Sequence, residues 1–524
     1  MSRHIAAIDL HGVLRDAIAV HQAGRLADAE PLYRAVLEAT PRQFDALHLL
    51  GVLHHQQGRS AEAAELIGTA LRERPDDVVA LTNRSAALNA LRRFEEALAH
   101  CDRALATKPD HTEALNNRAL ALKELGRAHE ALASCEHALR LRPDYADAHN
   151  NRGLALQALK RTDAALESYE TALRFNPSHL DALNNRGIAL FDGKRLNEAL
   201  ACFDRALSCK PGYAHAHWNR AQVLLLAGDF SRGWPEHEWR LASNPALQRR
   251  VDKRLWLGDT SIAGKTVLLH AEQGLGDTIQ FCRYAPMVAA LGARVVLEVQ
   301  RPLVELMRTL AGPIEVVARG DALPDFGLHC PLLSLPLAFN TEQATIPAET
   351  PYLRAPVNVT DWNGRIGTKR PRIGLVWSGN PGHKRDSARS IPFYALLQLL
   401  EIDATFVSLQ KDVRAADAAV LTQAGKVIDV ADALTTFCDT AALVSALDLV
   451  ISVDTSVVHL CGALGKPLWL LLPEVPDWRW LIDRDDSPWY PTARLFRQDR
   501  TRVWGPVVRR VGDALNELIA RRAP

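Results

Sequence analysis

PDHTEALNNRALALKELGRAHEALASCEHALRLR, residues 109–142, is a stretch that this chain writes several times over. Its leading proline recurs as Pro41, Pro75, Pro109, Pro143, Pro177 and Pro211, each 34 residues from the last. Ala46, Ala80, Ala114, Ala148, Ala182 and Ala216 keep that register, as do the small residues Gly51, Ser85, Ala119, Gly153, Gly187 and Ala221. A further small series runs Ala63, Ala97, Ala131, Ala165, Ala199. The physical reading is one helix pair per period. Small side chains let two helices approach closely, and a proline, with no N–H and a fixed φ, stops the second helix.

A 34-residue period closed by proline is that of the tetratricopeptide repeat. The pattern predicts about six repeats from residue 12 to 215, then a degenerate helix pair from Ala216 to about Leu241, and so an α-solenoid over residues 1–243. One position in this frame is asparagine five times: Asn83, Asn117, Asn151, Asn185 and Asn219, each followed by an arginine (Arg84, Arg118, Arg152, Arg186, Arg220). It falls on the first helix of each pair, which lines the concave face of such a stack. Asparagine both donates and accepts, so a ladder of them can hold an extended peptide by its backbone. The same ladder can instead tie neighbouring repeats and ask nothing of a ligand. It resembles the solenoid of O-linked N-acetylglucosamine transferases, where such asparagines hold protein substrates. That resemblance implies a protein or peptide partner.

The bulk composition narrows the class. A chain of 524 residues has room for several cores. Lys+Arg 62 against Asp+Glu 61 leaves a net charge of +1, which gives no reason to expect nucleic acid. No apolar run of about 18 residues occurs to span a membrane, and the start, MSRHIAAIDLHGVL, lacks an apolar leader core. The eight cysteines are scattered with no Cys-x-x-Cys pair, so reduced thiols in a cytoplasm are expected rather than disulfides or a zinc site. Oligomeric state stays open, although the ends of solenoids often pair, and a homodimer is the form such pairing would take.

Beyond residue 243 the helical period gives way to short apolar runs. After a linker, 244–263, Thr266 to His270, Arg294 to Val299 and Ile314 to Ala318 read as buried parallel strands with helices between. A proline-dotted segment, Pro347 to Pro371, interrupts. A second set follows at Ile373 to Trp377, Thr405 to Leu409, Val427 to Val430, Leu449 to Val453 and Leu468 to Leu472, with a closing helix from Val508 to Arg521. Two Rossmann-like domains, 264–360 and 361–524, are expected, with ligands at the carboxyl ends of their strands.

The turn after the first strand reads HAEQGLGDTIQFCRY, residues 270–284. A dinucleotide cradle needs G-x-G-x-x-G with free N–H groups. Here the third glycine is missing, and Asp277 occupies the place an anion would want. Asp277 either caps the following helix, worth about 1 kcal/mol, or does so while facing a cleft where its carboxylate accepts a proton from an acceptor. A second loop, Asp454-Thr455-Ser456, ends a strand and opens a helix, where N–H groups and hydroxyls suit a diphosphate. His459 follows one turn later. A third, Trp377-Ser378-Gly379-Asn380-Pro381-Gly382-His383-Lys384-Arg385, brings small residues and positive charge.

These motifs resemble the heptosyltransferase-type glycosyltransferases. The strand with Gly276-Asp277-Thr278-Ile279 is similar to that family's opening motif, and Asp454-Thr455-Ser456-Val-Val-His459 with Ala463-Leu-Gly465-Lys-Pro467 is similar to its D-T-G-x-x-H…A-L-G-x-P signature. Ser456 stands where the family usually has glycine, so backbone approach to a phosphate is less close. The resemblance covers about residues 264 to 515 and implies an α/β GT-B glycosyltransferase behind the solenoid. It implies Asp277 as general base and Lys384 as the cation on the leaving group, with Arg385 or Arg389 able to substitute. It puts Ser378, Gly379, Arg385, Asp454, Thr455, Ser456 and His459 at the nucleotide-sugar donor; Gln410 and Lys411, at a neighbouring strand end, are expected at base or ribose. No acidic D-x-D pair stands at a strand end, so neither a metal nor a further cofactor is required. The crowd of Trp478, Trp480, Trp489 and Tyr490 is expected to pack domains together. The alternative is an interaction scaffold whose transferase-like domain is inactive.

Overall fold

A computed structural model describes residues 9–249, 251–356, 362–383 and 385–521. The chain divides into two units, Met1–Phe191 with Asn197–Pro211, and Asp192–Leu196 with Gly212–Pro524. Among the described residues the first unit holds six helix pairs: Leu10–Gln22 with Leu26–Ala39, Phe44–Gln56 with Ser60–Glu73, Val78–Ala90 with Phe94–Thr107, Thr112–Glu124 with Ala128–Leu141, Ala146–Ala158 with Thr162–Phe175, and Leu180–Asp192 with Leu196–Cys209. Each second helix stops two residues before a periodic proline. The cause is local. A proline disfavours helical ψ in the residue before it, and Thr40, Arg74, Lys108, Arg142 and Asn176 all leave the helix with ψ between 82 and 92°.

The small positions set the packing within each pair. A Cβ on Gly153 would lie 2.7 and 2.8 Å from Cδ1 and Cζ of Tyr169, and one on Gly187 would lie 2.5 and 2.7 Å from Cε1 and Cζ of Phe203. Gly51 faces Ile67 in the same way. Where the first helix carries Ser85 or Ala119 instead, the second carries Cys101 or Cys135 at that register. Volume is therefore traded across the pair, and the buried cysteines serve as small hydrophobes.

The asparagine–arginine series is braced internally. Nδ2 of Asn117 donates to Thr82 O and Ser85 Oγ, both at 3.1 Å, that of Asn151 to Asn116 Oδ1 at 2.8 Å, and that of Asn185 to Asn150 Oδ1 at 3.0 Å. Asn83 Nδ2 meets His48 Nε2 at 2.9 Å. Four amides of the ladder are thus spent between repeats. Each arginine reaches sixteen residues on, to the partner helix: Arg84 to His100, Arg118 to Ser134, Arg152 to Ser168, Arg186 to Cys202, and Arg220 to Glu236.

The second unit opens with a helix pair, Ala214–Leu226 and Phe230–His237. The repeat pattern predicts that this pair finishes a solenoid reaching residue 243, but the first unit ends at Pro211. The pair carries Phe230 and Trp234, which are buried against Trp478 and Trp489, and Trp234 Nε1 donates to Thr341 O at 2.7 Å. Aromatic burial holds it to the α/β region. The strands follow in order: β1 (Arg254–Leu255), β2 (Thr266–His270), β3 (Arg294–Val299), β4 (Ile314–Ala318), β5 (Leu328–Pro331), β6 (Arg372–Val376), β7 (Thr405–Ser408), β8 (Val427–Asp429), β9 (Leu449–Val453), β10 (Leu468–Leu472) and β11 (Ala493–Arg497). They make two sheets with parallel ladders throughout, ordered β1-β5-β2-β3-β4 and β11-β10-β9-β6-β7-β8. The expected linker 244–263 thus contributes an edge strand, β1, to the first sheet. The second sheet is covered on one face by Phe393, Leu396, Leu399 and Leu400 and by Val507, Val508 and Val511 of the closing helix Gly505–Ala520. The order in which strands are added reverses in each sheet beside its first long strand, between β2 and β5 and between β6 and β9, while every strand keeps the same direction. Open parallel sheets bind ligands at such points. Among the described residues no helix is long and apolar enough to cross a membrane.

Candidate functional site

A cleft of about 740 Å³ lies at the carboxyl ends of the second sheet's strands, with Leu275 and Pro302 of the first sheet's region on its far wall. The loops after β6, β7 and β9 supply Ser378, Gly379, Gln410, Lys411, Thr455 and Ser456 to its lining. Six of the expected donor residues therefore share one cavity. Arg414, Thr435, Thr436 and Phe437 also line it, and sequence reasoning missed them.

The loop after β6 is built to hold one shape. Gln410 Oε1 accepts from the N–H groups of Trp377 and Ser378 at 3.3 and 3.1 Å, so this glutamine positions the loop. Gly379 N donates to Ser390 Oγ at 3.0 Å, and Arg414 donates to Gly379 O at 3.0 Å and to Asp386 at 2.5 Å. A Cβ on Gly379 would fall 2.6 to 2.9 Å from the Arg389 guanidinium, so any side chain there would displace that group. That guanidinium in turn donates to Asp454 O at 2.7 Å, tying the β6 loop to the β9 loop across the reversal point.

Two hydroxyls in this lining are unusual. Ser378 Oγ and Thr455 Oγ1 are buried without a hydrogen-bond partner among the described residues. Thr455 occupies the N-cap of the helix Ser456–Ala463, yet its side chain caps nothing. A buried hydroxyl left unpaired costs about 1–3 kcal/mol, so each of these two has a hydrogen bond to give to an acceptor that enters the cleft. Lys411 gives the same place positive charge, and Arg414 lines it while paired with Asp386.

Asp454 and His459 do not line the cleft. Burial, with the nearby Asp477 charge, pushes the Asp454 carboxyl up to about 6. Burial would raise Asp477 also, but the Arg479 charge and hydrogen bonds hold it below its ordinary value. The His459 ring stacks on Trp480 at 5.7 Å, and its Nδ1 meets Tyr490 OH at 2.9 Å. Burial and the Arg479 charge push it down to about 3, leaving it neutral. Gly276 packs directly on it: a Cβ there would sit 2.8 Å from His459 Cδ2 and 3.4 Å from Ser456 Cα.

Asp277 caps its helix and faces the other sheet's region at once. Its Oδ2 accepts from Gly274 N at 2.8 Å, while Oδ1 pairs with Arg479. The capping reading is thus observed, and Asp277 does not line the cleft described above. The arginine that meets it escapes sequence reasoning, since it stands inside the aromatic run 478–480. Those aromatics do pack the two sheets' regions together: Trp478 and Trp489 both contact Phe281, and Trp480, Trp489 and Tyr490 are fully buried. Arg385 donates to Val475 O at 2.8 Å. Lys384 lies outside the described residues.

A tetratricopeptide repeat family model matches residues 17–78, 57–112, 82–146, 116–178 and 150–214. Residues 17–214 are tetratricopeptide repeats. Solved tetratricopeptide repeat proteins overlay this chain in part. One from Parabacteroides merdae is 19% identical with a TM-score of 0.39, covering 45% of this chain and 92% of that one. One from Thermus thermophilus is 26% identical with a TM-score of 0.34, covering 35% of this chain and 100% of that one. A curated relative, Protein FlbA of Caulobacter vibrioides, is 28% identical over 338 residues, taking in 57% of this chain and 55% of the relative. The chain spans about half the length of that relative, and the shared portion is larger than the tetratricopeptide region alone.

Proposed function

We propose that the second unit is a GT-B glycosyltransferase of the heptosyltransferase type, which moves a sugar from a nucleoside diphosphate donor to an acceptor presented by the repeats. The observation that carries this reading is the pair of buried, unpartnered hydroxyls, Ser378 Oγ and Thr455 Oγ1, in a cleft at the β6–β9 reversal point. In this reading the diphosphate accepts hydrogen bonds from both hydroxyls and from the helix start at Ser456, and Lys411, Arg414 and Lys384 balance its charge without a metal ion. Electrostatic stabilisation of the leaving group is usually the largest catalytic contribution. Asp277 takes the proton from an acceptor hydroxyl, the acceptor oxygen bonds to the anomeric carbon, and the bond from that carbon to the diphosphate oxygen breaks, releasing nucleoside diphosphate. A peptide acceptor would meet the asparagine ladder through Oδ1 atoms such as those of Asn83 and Asn117, since four amides already serve the stack and Asn151 Oδ1 accepts from Asn150 Nδ2.

Calorimetric titration with ADP, UDP and GDP tests the reading. One of them should bind in the micromolar range, and Ser378→Ala with Thr455→Val should weaken it about tenfold, the loss of about 1.4 kcal/mol. Absence of binding by all three would refute it. A second reading has its own support, the ion pair that occupies Asp277: an interaction scaffold that retains the cleft without turnover. Binding of a diphosphate with no hydrolysis of its sugar ester would favour the scaffold.

A further inference from the structure

The aromatic run 478–480 holds one charged side chain, and its contacts cross to the first sheet's region. Arg479, buried, donates from Nε to Gln280 Oε1 at 2.6 Å, from Nη1 to Asp477 Oδ1 at 2.9 Å and from Nη2 to Asp277 Oδ1. Its guanidinium carbon lies 4.4 Å from the centre of the Trp478 ring. Gln280 and Asp277 stand three residues apart on the helix Leu275–Phe281, hence on one face, and the planar fork takes both. The other Asp277 oxygen is held by Gly274 N. A carboxylate gripped at both oxygens has a single orientation. Burying such a pair is a poor route to stability, because desolvation offsets most of the Coulomb attraction.

We propose that Arg479 is a positioning residue for sugar transfer: it aims the Asp277 carboxylate at the acceptor. The inference rests on the transferase reading above, with Asp277 as the base. Stacking on Trp478 and the three-way donation need a planar guanidinium, so the ammonium of a lysine cannot reproduce them. Arg479 acts through Asp277 and is not among the residues that line the cleft, so it should govern turnover and leave donor affinity alone.

The test follows hydrolysis of UDP-glucose, ADP-glucose and GDP-mannose by the full chain, read as release of nucleoside diphosphate, with diphosphate affinity measured in parallel. Arg479→Ala is expected to lower kcat about 100-fold, with KM and diphosphate Kd within a factor of two. Arg479→Lys should be equally slow, and millimolar guanidinium should restore turnover to Arg479→Ala but not to Asp277→Asn. Thermal melting of each variant separates these effects from loss of fold. Wild-type-like kcat in Arg479→Ala while Asp277→Asn is inactive overturns the positioning role alone. A fall in kcat that lysine repairs, or that guanidinium cannot, also overturns it. A wild type that binds none of the diphosphates and hydrolyses none of the three esters removes the transferase reading itself, and this inference with it.

Discussion

Replacing Gly153 by alanine sets two known effects against each other. In a helix interior alanine is favoured over glycine by about 1 kcal/mol, so the substitution should stabilise Ala146–Ala158 if that helix stood alone. It does not stand alone. The new methyl would lie 2.7 and 2.8 Å from Tyr169 Cδ1 and Cζ, where carbon pairs rest at about 3.5–4.0 Å. The ring would have to retreat by about 1 Å. Tyr169 is fully buried and its hydroxyl donates to Gln157 Oε1 at 2.8 Å, so it has nowhere to go. Overpacking of this kind costs about 1–3 kcal/mol, and the net result should be a loss of about 1–2 kcal/mol. The decisive arm is the same substitution in a Tyr169→Cys background, which recreates the pairing of Ala119 with Cys135 in the preceding repeat. There Gly153→Ala should stabilise by several tenths of a kcal/mol up to about 1. Urea unfolding followed by far-ultraviolet circular dichroism measures both differences. Equal losses in the two backgrounds would show that the ring is not the obstacle.

Further expectations concern the second unit. Ser378→Ala combined with Thr455→Val removes two unsatisfied buried hydroxyls, so the unliganded protein should melt at the same temperature or higher even as diphosphate affinity falls; a lower melting temperature would mean the hydroxyls have partners. Arg240, 1% exposed, is gripped by Glu272 and Glu238, and Arg240→Met should destabilise by about 3–5 kcal/mol because it strands Glu272. Adding Glu272→Met should recover much of that loss in denaturant titrations. The Asp454 carboxyl, pushed up to about 6, holds a proton in the folded chain that the unfolded chain releases from about pH 4 upward. Stability therefore falls as pH rises through that window. Asp454→Asn should raise the melting temperature at pH 7 and give no gain at pH 4; a gain independent of pH would contradict the assignment.

The solenoid was legible because its determinants are local and periodic. A proline ends a helix wherever it stands, and Gly51, Gly153 and Gly187 announce crossings through their own lack of volume. Long apolar strands such as β2, β3, β9 and β10 were equally plain. The strands that escaped notice have physical reasons to hide. Arg254–Leu255 is only two residues long, Leu328–Pro331 ends in proline, and Ala493–Arg497 is a sheet edge whose arginines break an apolar run. At the candidate site the loops were found through strand ends and glycines. What each side chain touches there depends on residues far away. Arg479 meets Asp277 across 202 positions of sequence, and nothing near either residue signals the other. The sequence puts His459 on the ligand side of its helix, one turn past the cap. Its ring instead turns to Tyr490 and Trp480, an arrangement set by tertiary burial.

The arginine that follows each ladder asparagine makes the same reach in four successive repeats and in the helix pair after them, and ends on five different atoms: an imidazole nitrogen, two serine oxygens, a cysteine sulfur and a carboxylate. Units that look interchangeable are therefore chemically individual. Mild acid bears on the clasp at His100, because protonating that ring would set two cations face to face, and burial already resists the proton. An oxidant that reached Cys202 would alter the clasp formed by Arg186 and spare the others. A stack of near-copies thus carries separately addressable points of weakness, and unravelling under different stresses would begin in different places.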